Sequence, residues 1–244
     1  TGNLTASGLV QANTVTLSST GQFVDGNAGA TNVQGVNLTV SSNGGASVDT
    51  AVCNVTFTDV APGAAASIRD ADLLNIVSVT MDVGSGSFNA STGGTSSLGV
   101  NGITAACTAL TSGGSIIDNN GCTVNVVGIN AVFNGGLGVA DSVDLDTQLS
   151  SVSGALGAAG SVFRVQNAGA LAIGSVVAGT PAAGAIVEVS ALGDLTVGQV
   201  SGRTGVLSAT AAMLDDGVGG TRIAVDSLSL TAGSIGSACA ALQT

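Results

Sequence analysis

The most constraining feature of this sequence is a pattern that occurs twice between Phe163 and Gly202. The segment 163–176 is matched 24 residues later by the segment 187–200, and each copy reads as a short strand, a glycine turn and a second short strand. Identical residues recur at this spacing: Val165, Gly169, Leu171, Gly174 and Val176 match Val189, Gly193, Leu195, Gly198 and Val200. Such a period predicts a solenoid, because one repeat cannot bury its apolar face without a neighbour.

Triplets of the form apolar-polar-apolar extend this pattern along the chain. They begin at Val15, Leu38, Val55, Val79, Val124, Val143, Phe163, Val187 and Leu228, with weaker copies at Ile103 and Leu207. Each triplet is typical of a strand that points one side chain outward. We therefore predict an all-β fold, a parallel β-helix of roughly eleven rungs of about 21 residues, stacked to about 50 Å at about 4.8 Å per rung. Residues 1–244 would form one domain.

Composition narrows the classes of partner. The chain has no Trp, Tyr, His or Lys, and its 15 acidic residues against four arginines give a net charge of -11. Such a surface repels phosphate backbones and anionic lipids, so nucleic acid is excluded as a partner. The uncharged segment 168–187 contains Pro181 and several glycines, and overlaps the repeat. It therefore reads as a rung and not as a transmembrane helix.

Two segments depart from the triplet pattern. Residues 64–76 lack clear alternation and predict a loop or a short helical insert. Residues 107–122 read as a loop flanked by cysteines, so we expect an intramolecular disulfide between Cys107 and Cys122. Cys53 and Cys239 would lie too far apart in a straight stack to pair, so we expect them to be free or to form an intersubunit bond.

The outward residues of the triplets form a candidate column on one face: Thr16, Thr39, Thr56, Thr80, Thr104, Asn125, Asp144, Arg164, Glu188, Ser208 and Ser229. A regular column of hydroxyls is what ice-binding solenoids present. Those faces need paired columns, and the sequence shows one, which ends halfway.

Acidic residues supply the candidates for a metal site. Asp141, Asp144 and Asp146 are weak calcium candidates, because alternate strand positions point to one side. The same alternation is satisfied by ordinary solvated acids between Val143 and Leu145. We therefore expect no cofactor.

Catalytic groups are scarce. The chain lacks histidine and lysine to activate its serines, and it lacks the aromatic platforms on which sugar rings stack in polysaccharide-degrading enzymes. We expect no enzyme activity. Sequons at Asn3, Asn37, Asn54 and Asn89 leave glycosylation open.

The segments 228–235 and 169–174 resemble the β-strand repeats of filamentous-haemagglutinin-like exoproteins, and the resemblance is clearest over about 160–236. It implies a right-handed parallel β-helix, export from the cell, and a role in adhesion or matrix formation. It carries over no functional residue.

These observations lead to one functional hypothesis with alternatives. We expect a secreted or cell-surface structural protein, a self-assembling fibre or sheath subunit or an adhesin, whose partners are copies of itself or cell-surface glycans. The alternatives are a carbohydrate-binding or ice-binding β-solenoid module and, after these, a polysaccharide-degrading enzyme.

Overall fold

The chain folds as a parallel β-solenoid. The structure, a computed structural model, describes residues 2–27, 29–136, 141–179, 184–219 and 223–236. Within those residues the regular elements are all β-strands, and their pairings are parallel. The solenoid has about ten turns, which confirms the predicted all-β parallel β-helix and roughly matches the predicted number of rungs. Each full turn contributes strand segments to two ladders, here called ladder one and ladder two.

Ladder one is the stack that begins with the first strand of the chain. Its members are β1 (Leu4–Ala6), β4 (Phe23–Asp25), the first half of β6 (Ala46–Asp59), β7 (Ala65–Asp70), β9 (Ser87–Thr92), β12 (Cys107–Thr111), β15 (Asn130–Gly135), β17 (Ser151–Leu156), β19 (Leu171–Ala178), β21 (Leu195–Ser201), β23 (Ala212–Asp215), β24 (Ile223–Ala224) and β26 (Ser234–Ile235).

Ladder two carries the triplets of the sequence. Its members are β2 (Val10–Gln11), β3 (Thr14–Ser18), β5 (Val33–Ser41), the second half of β6, β8 (Leu74–Met81), β10 (Leu98–Val100), β11 (Ile103–Thr104), β13 (Ile116–Asp118), β14 (Val126–Val127), β16 (Ser142–Gln148), β18 (Val162–Asn167), β20 (Ile186–Ala191), β22 (Thr204–Ala209) and β25 (Ser227–Thr231).

The 24-residue repeat is confirmed residue by residue. Its first strands are β18 and β20, in which Phe163 pairs with Val187. Its second strands are β19 and β21, in which Leu171 pairs with Leu195. Three of the identical pairs, Val165–Val189, Leu171–Leu195 and Val176–Val200, therefore lie one above the other on consecutive rungs.

A narrow aliphatic core fills the space between the ladders. The inward members of the strands are Val, Leu, Ile and Ala, most of them with under 5% of their surface exposed. All five phenylalanines are buried, and the rings of Phe57 and Phe88 lie 6.2 Å apart between their centroids. Because each rung buries its apolar side chains against the next, the stack is stabilised chiefly by contacts between neighbouring rungs.

The prediction of a loop or short helix over 64–76 is wrong. Ala65–Asp70 forms β7, and β8 begins at Leu74. The inward residues of β7 are Ala66, Ile68 and Asp70. The alternation was hidden because alanine occupies both faces and an aspartate occupies an inward position.

The prediction of a cysteine-flanked loop over 107–122 is also wrong, and so is the expected Cys107–Cys122 disulfide. Cys107 begins β12 on ladder one, β13 follows on ladder two, and Cys122 lies in the turn beyond it. The intervening residues thus run along two ladders of one rung instead of closing a hairpin. Both thiols are free and exposed.

The described residues of the uncharged segment 168–187, which are 168–179 and 184–187, belong to the solenoid. Leu171–Ala178 forms β19, and the next strand starts at Ile186. In the described part of the chain, no helix has the length and apolarity needed to cross a membrane.

Candidate functional site

The outward side of ladder two carries two columns of hydroxyl groups over its first rungs. In the first column Thr16 pairs with Thr39, Thr39 with Thr56, and Thr56 with Ser78. In the second column the same strands and β11 align five residues: Ser18, Ser41, Thr58, Thr80 and Thr104. We call these nine residues the hydroxyl face.

The second column corrects the single column expected from the triplets. A β-bulge in β8 places Val55 opposite Ile76 and Thr56 opposite Ser78, so that Val77 is an extra residue. Thr80 therefore continues the column of Thr58 and not that of Thr56. The triplet at Val79 gave no sign of this shift, because apolar and polar residues alternate on both sides of the bulge.

An asparagine column borders the hydroxyl face. Asn54 donates its side-chain N–H to the amide oxygen of Asn37 at 3.1 Å, and Asn75 donates in the same way to Asn54. Asn119 reaches the amide oxygen of Asn75 at 3.1 Å across the position of Gly99, where a Cβ atom would collide with the Asn119 amide. The first two bonds link successive rungs, and the third links two rungs that have the rung of Gly99 between them.

Beyond the hydroxyl face, ladder two carries an outward column of charged residues. Asp144, Arg164 and Glu188 pair in register, and Arg164 bonds Asp144 at 3.0 Å and Glu188 at 2.9 Å. The hydrogen bond that Arg164 donates to Glu188, followed by the charges of both acids, raises the pKa of Arg164 despite some burial. All three side chains are about 40% exposed, so the pairs contribute little to stability.

A groove of about 500 Å³ runs beside this charged column. It is lined by Asp118, Asp146 and Cys122 as well as by the three paired residues. Burial, and then the charges of Asp118 and Asp144, raise the pKa of Asp146. The groove is thus acidic with one guanidinium.

The calcium candidates do not form a metal cluster. Asp144 is engaged by Arg164, and Asp146 lines the same groove. Asp141 instead accepts a hydrogen bond from the hydroxyl of Ser115, and the groove lining does not include it. Within the residues that the structure describes, no group of three or more Asp, Glu, Cys or His side chains is placed to hold a metal ion.

Of the other members of the expected outward column, Asn125 and Ser208 lie elsewhere, whereas Ser229 stays in the column of Glu188. Asn125 is fully buried, and its amide donates to the carbonyl oxygen of Val100 and to the carboxylate of Asp118. Ser208 pairs with Ser190, and Ser229 pairs with Val206, which is the residue that follows Glu188 in its column. The expected triplet began at Leu207, but the strand is shifted by two residues. Gly205 pairs with the inward Val187, and Leu207 pairs with Val189.

Buried polar residues at strand ends were not anticipated from the sequence. Asp70 accepts hydrogen bonds from the hydroxyl of Thr50 at 2.6 Å and from the N–H of Val52 at 3.0 Å. Asn167 repeats the arrangement with Thr147 and Leu149. In both places the polar residue lies 20 positions after the threonine. The spacing is a usable signal, but only once the rung length is known.

The remaining cysteine expectations have different outcomes. Cys53 is free and exposed in β6. Cys239 lies outside the described residues.

These features define a parallel β-solenoid with a polar, uncharged face over its first rungs and a charged groove beyond it. No family model, no curated protein and no solved structure matches the chain. Its function therefore has to be argued from its own residues.

Proposed function

We propose that this protein is a secreted or surface-displayed structural subunit that assembles end to end into a fibre. The observation that supports this proposal most directly is the match between the two ends of the described stack. Both ends present strands of ladder two with one unpaired edge among the described residues, namely β3 and β25. Unpaired edges are templates for a further strand.

The edge strands have the same alternation. Residues 14–18 read Thr-Val-Thr-Leu-Ser, and residues 227–231 read Ser-Leu-Ser-Leu-Thr. With Ser227 opposite Thr14, apolar residues would meet apolar ones inside and hydroxyls would meet hydroxyls outside. Leu17, Leu228 and Leu230 pack on the core yet are only partly buried. A second copy would complete their burial.

The backbone groups also fit this register. Ser19 donates its N–H to Ser41 within the stack, so by alternation Thr14 and Thr16 direct theirs away from β5. Ser227 donates to Arg203, so Leu228 directs its backbone groups away from β22. In the proposed register Leu228 donates to the carbonyl oxygen of Thr14 and accepts from the N–H of Thr16.

Secretion and adhesion are parts of the same proposal. They are supported by the acidic, lysine-free composition and by the resemblance of residues 160–236 to exported adhesin repeats. Binding of cell-surface glycans would be an additional property of the assembled fibre. Immunogold labelling of intact and of sectioned source cells tests the location, and label found only inside the sectioned cells would contradict it.

The assembly is tested with an edge variant. Thr16→Pro removes an N–H that points away from the stack and leaves the internal ladder bonds in place. Thr16→Val is the matched control, because it keeps that N–H. Negative-stain microscopy and sedimentation velocity should show filaments for the wild type and for Thr16→Val, and monomers for Thr16→Pro. Monodisperse wild-type monomers would contradict the proposal.

A further inference from the structure

The hydroxyl face differs from the rest of the surface in its chemistry. It carries no charged residue, although the chain as a whole has a net charge of -11. Thr39, Thr58 and Thr80 are exposed, and their neighbours in the columns are exposed or half-buried. None of the nine hydroxyls makes a side-chain hydrogen bond within the described residues, whereas the bordering asparagines bond to one another. These hydroxyls are therefore available to solvent.

The face is regular in two directions. Successive rungs repeat at about 4.8 Å, and the two columns are two residues apart along each strand, or about 6.6 Å. Strand pairing and the asparagine column fix the first distance, and the pleat fixes the second. Threonine is stiff at χ1 because it is branched at Cβ, which restricts the positions that its hydroxyl and methyl group take on each rung. Four to five rungs give an ordered patch about 19 Å long.

Such a patch orders water. Each hydroxyl can both donate and accept, and an ordered water held by a polar group costs little free energy. A two-dimensional array holds its waters at fixed intervals, and these intervals are close to the repeats of water molecules in ice. The exposed methyl groups of threonine favour release of the remaining, disordered water.

We infer that the hydroxyl face binds the surface of ice. A sugar polymer is a poorer match, because the face has no aromatic ring for stacking and no charged side chain to orient a saccharide. A mineral or an ionic surface is a poorer match because the face has no charge. The inference is independent of fibre assembly, since all nine residues lie in one chain.

The test uses purified protein carrying a fluorescent label on its amino terminus. Ice is grown slowly from the solution, and the fraction of protein taken into the ice is measured together with the inhibition of recrystallisation. We expect the wild type to enter the ice and to inhibit recrystallisation. Exclusion of the wild type from ice, as for an ordinary soluble protein, would overturn the inference.

Variants locate the surface. Thr39→Lys and Thr58→Lys each place a long charged side chain in one of the two columns, and each should abolish uptake into ice. Gln148→Lys is the matched control, because Gln148 is exposed on ladder two beyond the end of the second column. Thr39→Ser keeps the hydroxyl and should retain uptake. Equal melting temperatures would show that all four variants are folded, and equal uptake by Thr39→Lys and Gln148→Lys would overturn the assignment.

A crystalline polysaccharide also presents a flat, hydroxyl-rich surface. A pull-down on crystalline chitin and cellulose therefore tests this alternative ligand. We expect no retention by either polymer. Retention that Thr39→Lys abolishes, without uptake into ice, would replace the inference with a polysaccharide surface.

Discussion

Asp59 and Asp70 are two buried aspartates whose pKa values are shifted in opposite directions. Both side chains are buried. Burial raises the pKa of Asp59, but hydrogen bonds from the N–H groups of Gly44 and Gly45, the hydroxyl of Ser42 and the N–H of Ala61 outweigh it and lower the pKa below its usual value. For Asp70 burial dominates, and its pKa is raised. The surroundings of Asp59 thus favour its charged form, whereas burial makes ionisation of Asp70 less favourable than in water.

The first prediction for a single residue concerns how the free energy of unfolding depends on pH. A carboxylate whose folded pKa is lowered contributes stability above its unfolded value, and this contribution is lost as pH falls through the folded pKa. Asp59→Asn should lower the free energy of unfolding at pH 7 by about 2–3 kcal/mol, because an amide N–H would face the donors of Gly44 and Gly45. The difference from wild type should shrink below about pH 3.8, the ordinary value for an aspartate.

Urea unfolding of both proteins between pH 7 and pH 2.5 measures this difference. The contribution of Asp70 to stability changes in the opposite direction with pH, since protonation through its raised pKa favours the folded state. It is present in both proteins and cancels in the comparison. A gap that stays constant down to pH 2.5 would show that the pKa of Asp59 is not lowered in the folded protein.

At the scale of the elements, the fold was predictable from ladder two and much less from ladder one. Ladder two strands such as β18 and β20 alternate strictly, so their triplets reveal both the strand and its register. Ladder one strands such as β7 contain alanine, serine and an inward aspartate, and their alternation is weak. The bulge at Val77 and the inward turn of Asn125 depend on contacts between rungs, which the local sequence does not encode.

A glycine pair tests the spacing of the rungs. A Cβ atom at Gly198 would collide with the backbone carbonyl oxygens of Ile173 and Gly174 on the neighbouring rung. Gly169, in the other copy of the repeat, has no atom within 4 Å of the Cβ position. Gly198→Ala should therefore lower the free energy of unfolding by about 1–3 kcal/mol, and Gly169→Ala should leave it nearly unchanged. Urea midpoints of the two variants give the comparison, and equal midpoints would argue against the close approach of β19 and β21.

At the scale of the whole molecule, end-to-end stacking would join the surface features of successive subunits. In the proposed register Ser229 and Thr231 lie next to Thr16 and Ser18 of the following copy. The outward hydroxyls would then continue across the junction. A longer array of ordered hydroxyls should hold more water in register, so wild-type filaments should inhibit ice recrystallisation more strongly per chain than the same protein diluted until it is monomeric.

The last prediction uses the cysteines to report the assembly. Within one chain Cys53 lies near the third rung, and Ser234–Ile235 forms the last described strand of the stack. The separation along a straight stack is therefore about 35–40 Å, whereas a disulfide holds its Cα atoms within about 7 Å. Across an end-to-end junction the third rung of the next subunit is only about 10–14 Å from the last rung. Three residues of chain beyond Gly236 can span most of that distance.

We therefore expect oxidised filaments to form a Cys53–Cys239 bond between subunits. Non-reducing electrophoresis should show a ladder of bands that collapses with reductant to one band at 23.0 kDa. Cys53→Ser should abolish the ladder while filaments persist, because strand pairing holds them. The double variant Cys107→Ser/Cys122→Ser should keep the ladder, since those thiols are exposed on the middle rungs. An intramolecular Cys53–Cys239 bond, identified by mass spectrometry of the monomer, would contradict the straight stack.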